Sequence, residues 1–176
     1  MRAFGSKVTA ALGICLLSLC AVSPHAFAAA PSLSINRAEI LAAHNKYRAE
    51  VGVAPLRWSQ RLARGAQLWA EEIAALAEMK HSGTSGVGEN LAMWWGSRPT
   101  PRQLIGMWGR EKQDFVPGTF PQVSRTGNWR TVAHYIQMVW RGTTAVGCGA
   151  ASNSTGTVFL VCWYSPQGNY IGQVPF

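Results

Sequence analysis

Four side chains of this 176-residue sequence could do chemistry, and each stands in surroundings that need explaining: His81, Glu89, Glu111 and His134. Two imidazoles and two carboxylates suit general acid–base work, or a divalent cation such as zinc. His134 and Gln137 interrupt the apolar stretch TVAHYIQMVW, residues 131–140. Glu111 falls on the stripe of Leu104, Trp108 and Phe115, at helical spacing. A carboxylate buried there without a partner would cost roughly several kcal/mol, so it must be paired or line a cleft. His81 opens the glycine-rich HSGTSGVGEN, and Glu89 stands between Gly88 and Asn90 near its end. Any one of the four could be a satisfied core or loop residue. Together, in four different elements, they suggest a shared site, although spacing this wide does not itself bring them together.

The elements that must position them can be read from periodicity and punctuation. Asn36, with Glu39 three residues on, is a capping-box pattern for a helix over 37–51 that stops at Gly52. Residues 52–58 read as a loop with Pro55. Ser59 caps a second helix, with Leu62, Ala66, Trp69, Ile73 and Leu76 at helical spacing, ending near Lys80. A short strand follows at about 87–92. Thr100 and Pro101 are a cap and a first-turn proline for a third helix to about Asp114. A short helix over about 130–139 carries His134, and two strands, about 144–151 and 158–164, form a hairpin turning at NSTG, 153–156. The tail SPQGNYIGQVPF is turn-rich yet apolar enough to pack down. Helices before and between a few antiparallel strands indicate an α+β sandwich.

The ends and the composition narrow the function classes. Arg2 and Lys7, the apolar run 8–21 and the small-x-small triplet Ala26-Phe27-Ala28 read as a signal peptide over 1–28. A short lead, 29–36, and one domain, 37–176, follow. The apolar run is too short for a comfortable transmembrane helix, which needs ~20 apolar residues. Cleavage after Ala28 would leave 148 residues with 14 basic and 8 acidic side chains, net +6. That excess is scattered, with no basic run, so nucleic acid is a poor partner while an anionic surface is a reasonable one. The expected product is secreted, or periplasmic in a Gram-negative bacterium, and monomeric. Of four cysteines, Cys148 and Cys162 stay in the mature chain, each seven residues from position 155. In an exported hairpin they read as a cross-strand disulfide, with two buried free thiols as the alternative. Asn153-Ser154-Thr155 is a glycosylation sequon that matters only in a eukaryotic secretory pathway.

Several motifs in order then carry a resemblance: AHNKYRAEVGVAPLRWSQRLARGAQLWA (43–70), HSG with VGENLA (81–92), MWGREKQDF (107–115), AHYIQMVWRGTTAVGCG (133–149) and VCWYSPQGNYIGQVPF (161–176). The sequence resembles the CAP superfamily of cysteine-rich secretory, antigen 5 and pathogenesis-related-1 proteins, in a pattern like the plant pathogenesis-related-1 branch. The resemblance implies a three-layer α-β-α sandwich with a central cleft. It also implies that the family's two histidines and two glutamates fall on His81, Glu89, Glu111 and His134. Gln137 becomes a neighbour or support of His134 and a ligand contact. His44, Asn45 and Arg48 of AHNKYR become hydrogen-bonded supports. The chain departs from plant members in keeping two cysteines rather than six, which fits a bacterial source. It also has Ala133 for a glycine, Ile136 for a small hydroxyl residue and Phe176 for a terminal tyrosine.

Three functions are implied. The first is binding of a sterol, a fatty acid or another lipid, or of a membrane surface, by a defence or host–microbe effector. There the loop DFVPGTFPQ would present Phe115 and Phe120 as an apolar flap, unless these rings pack on the third helix. Trp94 and Trp95 would be core or a ligand platform. The second is a weak, optional zinc held by His81 and His134, with Glu89 or Glu111 as the base of a hydrolase. No HExxH occurs and no Ser or Cys nucleophile declares itself. The third is a precursor of a C-terminal signalling peptide, against which stands a tail that simply packs, and Trp163 where the plant pattern has asparagine.

Overall fold

The computed structural model describes residues 32–33 and 35–176. The signal-peptide segment 1–28 and half of the 29–36 lead, residues 29–31 and 34, lie outside the described residues. The chain runs β1 (Ser32–Leu33), α1 (Arg37–Glu50), β2 (Arg57–Trp58), α2 (Gln60–Leu76), β3 (Gly88–Trp94), α3 (Pro101–Arg110), α4 (Ala133–Val139), β4 (Ala145–Ser152) and β5 (Val158–Ser165). Single 3-10 turns precede α4 (Trp129–Val132) and follow α3 (Glu111–Gln113).

β4 and β5 form the hairpin, in a register that sets Cys148 opposite Cys162, and the two are disulfide-bonded. β3 adds antiparallel to β5 and forms the sheet's edge. The other edge of β4 takes two short strands that periodicity did not reveal: β1 antiparallel at Ala150–Ala151, and β2 parallel at Ala145–Val146. Two residues leave no alternation to read, so such strands are invisible to a pattern of period two.

The sheet separates two cores. α2 covers one face, with Ala66, Ala70 and Ile73 against Leu91, Phe159 and Val161. Gly147 and Gly149 permit this contact, since a Cβ at either position would strike the backbone of α2 at Ala63 or Gln67. α1, α3 and α4 cover the other face around Ile40, Leu104, Trp108, Ile136, Leu160 and Tyr164. The result is the expected α-β-α sandwich.

Local chemistry sets the helix ends. Asn36 accepts hydrogen bonds from the Ala38 and Glu39 amides, and Thr100 with Gln103 completes a reciprocal capping box. α2 ends four residues before the expected Lys80. Ala77 there turns left-handed, and its amide and that of Glu78 return to Ala74 and Ile73, a Schellman-type stop. α3 likewise ends at Arg110 rather than near Asp114, because the chain tightens into a 3-10 turn at Glu111.

Candidate functional site

α1 buries the stripe Ile40, His44 and Arg48, two of which are polar. The Arg48 guanidinium reaches the carbonyls of Ala54, Met138, Trp140 and Thr143, so it ties α1 to the loop before β2, to the end of α4 and to the segment after it. Asn45 makes a two-way bridge to the Leu56 backbone. The His44 Nδ1–H donates to the Ile40 carbonyl at 2.8 Å, which leaves Nε2 to accept the Tyr164 hydroxyl at 2.8 Å. Tyr164 in turn accepts from Asn90 Nδ2 at 3.2 Å, and the same amide group donates to the His134 carbonyl at 3.0 Å. A continuous buried network therefore runs from α1 through β5 and β3 to the first turn of α4.

The four residues singled out from the sequence meet as two pairs. Glu111 follows the last residue of α3, and His134 lies in the first turn of α4. His134 Nδ1 donates to Glu111 Oε1 at 2.6 Å, and the Tyr135 amide donates to Oε2 at 3.0 Å. The second bond explains the carboxylate on an apolar stripe. The N-cap of α4 is Val132, which has no capping group, so Glu111 supplies the missing acceptor from another helix. Trp108 stacks on the His134 ring, with centroids 6.0 Å apart and planes 19° from parallel, and fixes its plane.

The second pair gathers the glycine-rich loop. His81 Nδ1 donates to Glu89 Oε1 at 2.5 Å, the Ser82 amide to the same oxygen at 3.0 Å, and the Trp163 indole to Oε2 at 2.8 Å. Burial alone would push Glu89 up, but the hydrogen bonds from His81, Trp163 and Ser82 outweigh it and hold the carboxyl below its usual range. The bond to Glu89 outweighs burial at His81 and raises that imidazole above its ordinary value.

The pairs flank the free edge of the sheet. Glu89 follows the parity of Leu91 on β3, toward α2, while Asn90 follows Ala92, toward α1, α3 and α4. Glu89–His81 therefore belongs to the α2 side, and Glu111–His134 to the other. In both pairs Nδ1 is oriented by a carboxylate and Nε2 makes no hydrogen bond among the described residues. A neutral imidazole so oriented presents a lone pair suited to accept a proton or meet a cation. The chemical type fits zinc, but two imidazoles are one ligand short of a catalytic zinc site, and no group of three or more His, Cys, Asp or Glu converges among the described residues.

The other residues singled out from the sequence as ligand contacts, Gln137, Phe115 and Phe120, sit deeper than that role requires. Gln137 is buried: its Nε2 donates to Thr143 Oγ1 and its Oε1 accepts from the Gly168 amide. It clamps the tail to α4 and has no hydrogen bond to His134 among the described residues. Phe120 is 3 % exposed and packs edge-on against Trp129, while Phe115 is half-buried against Tyr135 and Phe176. The loop thus offers no apolar flap. Its aromatic rings serve packing, because the tail folds back over them through hydrogen bonds between Phe120 and Gly172 and Gln173. The two adjacent tryptophans divide: Trp94 packs inward and Trp95 is 81 % exposed.

A feature with no strong sequence signal is a cavity of about 170 Å³ beside the capped end of α3. Ile35, Ile40, Pro101, Leu104, Val158 and Leu160 form its apolar walls, and Arg98 and Asn36 supply its polar rim. Leu104 could have been found as the first residue of the Leu104–Trp108 stripe. The rest come from four elements, and no spacing links them.

The architecture and the paired sites define a cysteine-rich secretory protein fold of the CAP type. The chain belongs to that family, whose model (CAP, Cysteine-rich secretory protein family) matches residues 41–164. It is 37 % identical over 134 residues to the pathogenesis-related protein PR-1 type of Sambucus nigra, covering 76 % of this chain and 78 % of that one. It is 39 % identical over 140 residues to pathogenesis-related protein 1A of Nicotiana tabacum, covering 78 % and 79 %. Among solved structures it is similar to BmVAL-1, with TM-score 0.68 and 26 % identity over 80 % of this chain and 81 % of that one. NaASP2, solved with Zn2+, shares the fold at TM-score 0.67 and 24 % identity, over 80 % and 84 %.

Proposed function

We propose that the chain is an exported binding protein for an amphiphile with one slender apolar chain and an anionic head, acting in a defence or host–microbe setting. The cavity between α1, α3 and the β4–β5 hairpin carries this reading. Its walls are aliphatic, and the one charged group on its rim, Arg98, suits a carboxylate or phosphate head. At about 170 Å³ it lies below the roughly 300–1,000 Å³ of pockets for drug-sized ligands, which favours a single alkyl chain over a sterol. The names of the pathogenesis-related relatives support the setting. Titration of dodecanoate into protein recovered from culture medium should show binding, with cholesterol weaker. Val158→Phe, which fills the cavity, should weaken dodecanoate binding at least tenfold. Undiminished binding by that variant would show that the cavity is not the site.

The second reading is a weak, exchangeable zinc held by His81 and His134. It is favoured by the carboxylate behind each Nδ1, the arrangement that orients metal-binding imidazoles. Zinc calorimetry should give heat with the wild type and none with His81→Ala/His134→Ala. Equal heat from both proteins would rule out the histidines.

A further inference from the structure

The loop between β3 and α3 uses its two tryptophans in opposite ways. The Trp94 indole donates to the Ser97 carbonyl at 2.9 Å and packs against the core, so it closes the loop on itself. Gly96 takes a positive φ of 102° at the bend, a conformation that side chains rarely adopt. On the other side α3 begins with its full capping box. The loop is thus fixed at both ends, and the side chain it holds outward is Trp95, 81 % exposed, with Met93 47 % exposed two residues before it. A large apolar ring kept in water by a braced loop gains nothing for folding.

The segment's own charges have one sign. From Glu89 to Glu111 the sequence contains no acidic residue, while Arg98, Arg102 and Arg110 are all exposed. Arg102 also lines a shallow cleft with Lys46 and Tyr47 on α1. Among the described residues Arg98, Arg102 and Lys46 form no ion pair; the lysine that does, Lys112, is held by Glu50. An exposed tryptophan beside unpaired cations matches the two requirements of an anionic bilayer surface: a ring that sits at headgroup depth, and charge that meets acidic lipids.

We infer that the segment 93–102, from the end of β3 to the first turn of α3, with Lys46 beside it, is a docking face for anionic phospholipid bilayers, with Trp95 as the inserted anchor and Arg98 and Arg102 as headgroup contacts. This face stands on its own observations. Only its purpose rests on the proposed function: Arg98 and Pro99 also line the aliphatic cavity, so docking would bring that cavity to the surface from which an amphiphile is drawn.

The test is co-sedimentation of protein from culture medium with vesicles of equimolar phosphatidylglycerol and phosphatidylcholine, beside vesicles of phosphatidylcholine alone. Binding is expected to the first and much less to the second, and to weaken as salt rises. Trp95→Ala should reduce partitioning about tenfold or more. Arg98→Ser and Arg102→Ser should each reduce it about fivefold, and together about thirtyfold, at ~1 kcal/mol per basic residue. Tyr170→Ala/Ile171→Ser removes a different exposed apolar patch, on the tail, and should bind as the wild type does. Val158→Phe should also dock normally, so loss of dodecanoate binding and loss of docking are separate results. All these positions but Val158 are on the surface, and circular dichroism checks that each variant is folded. The inference is overturned if the wild type ignores acidic vesicles at low salt, or if Trp95→Ala partitions unchanged. It is also overturned if the tail variant abolishes binding, or if gel filtration shows a dimer that Trp95→Ala dissolves, which would make a second copy the occupant.

Discussion

His44 and His81 place the same side chain in opposite electrical surroundings. His44 is fully buried and its partners are neutral, a carbonyl on one nitrogen and a tyrosine hydroxyl on the other. Burial, with a smaller push from the Arg48 charge, lowers it to about 4, against the favourable bond to Ile40. His81 has a 64 % exposed side chain and a carboxylate on Nδ1, and is raised. The first is built to stay neutral and hold a scaffold; the second is built to take a proton readily. The Tyr164 hydroxyl follows His44, because burial pushes it well above its ordinary value and keeps it a neutral donor. Depth and partner type, rather than residue identity, separate support from site.

The larger consequence is on stability. A histidine with a depressed folded pKa contributes stability in full above its unfolded value, and loses it as pH falls toward the folded value. For His44 that window runs from 6.5 down to about 4. At about 1.4 kcal/mol per pH unit, the protein should lose about 3 kcal/mol across it, with about 2 kcal/mol gone by pH 5, where ordinary carboxylates are still ionised. Urea unfolding at stepped pH measures this, with His44→Gln, which cannot take the proton, as the reference. A wild-type curve no steeper than that reference would break the comparison, since His44 would then be no more reluctant to charge than a histidine in water.

Much of this arrangement was legible in the sequence, and what was not has physical causes. Capping residues and helical spacing located α1, α2 and α3, and the symmetric placement of two cysteines about a turn fixed the β4–β5 register. His81, Glu89, Glu111 and His134 stood out as polar groups in apolar or glycine-rich settings. Their grouping into two pairs on either side of β3 was not visible, because it depends on strand parity and on which edge β3 occupies. The Phe115–Phe120 loop reads equally as flap or core until the tail is seen to cover it. Gln137 looked like a site residue for the same reason that it is a clamp: a buried amide must have partners, and sequence cannot say whether they are backbone or ligand.

The smaller effect tests the other half of the comparison. A raised histidine contributes stability below its unfolded value of 6.5, and loses it as pH rises through its folded value. Glu89, held below its usual 4.5, contributes above that value and loses its share as pH falls through the folded one. The pair is therefore fully formed between about 4.5 and 6.5, the interval in which His44 is losing its contribution. Glu89→Gln keeps the shape and can still accept the Trp163 or Ser82 hydrogen, but removes the charge that raises His81. Because His81 is largely in water, the stability change at pH 6 should stay below about 1 kcal/mol. The imidazole itself is the sharper reporter: its titration, followed by NMR, should move down toward 6.5 in Glu89→Gln while that of His44 does not shift. Were His81 to titrate identically in both proteins, the carboxylate would be a tether for the Ser82 loop and the Trp163 indole, and the contrast between the two histidines would reduce to depth alone.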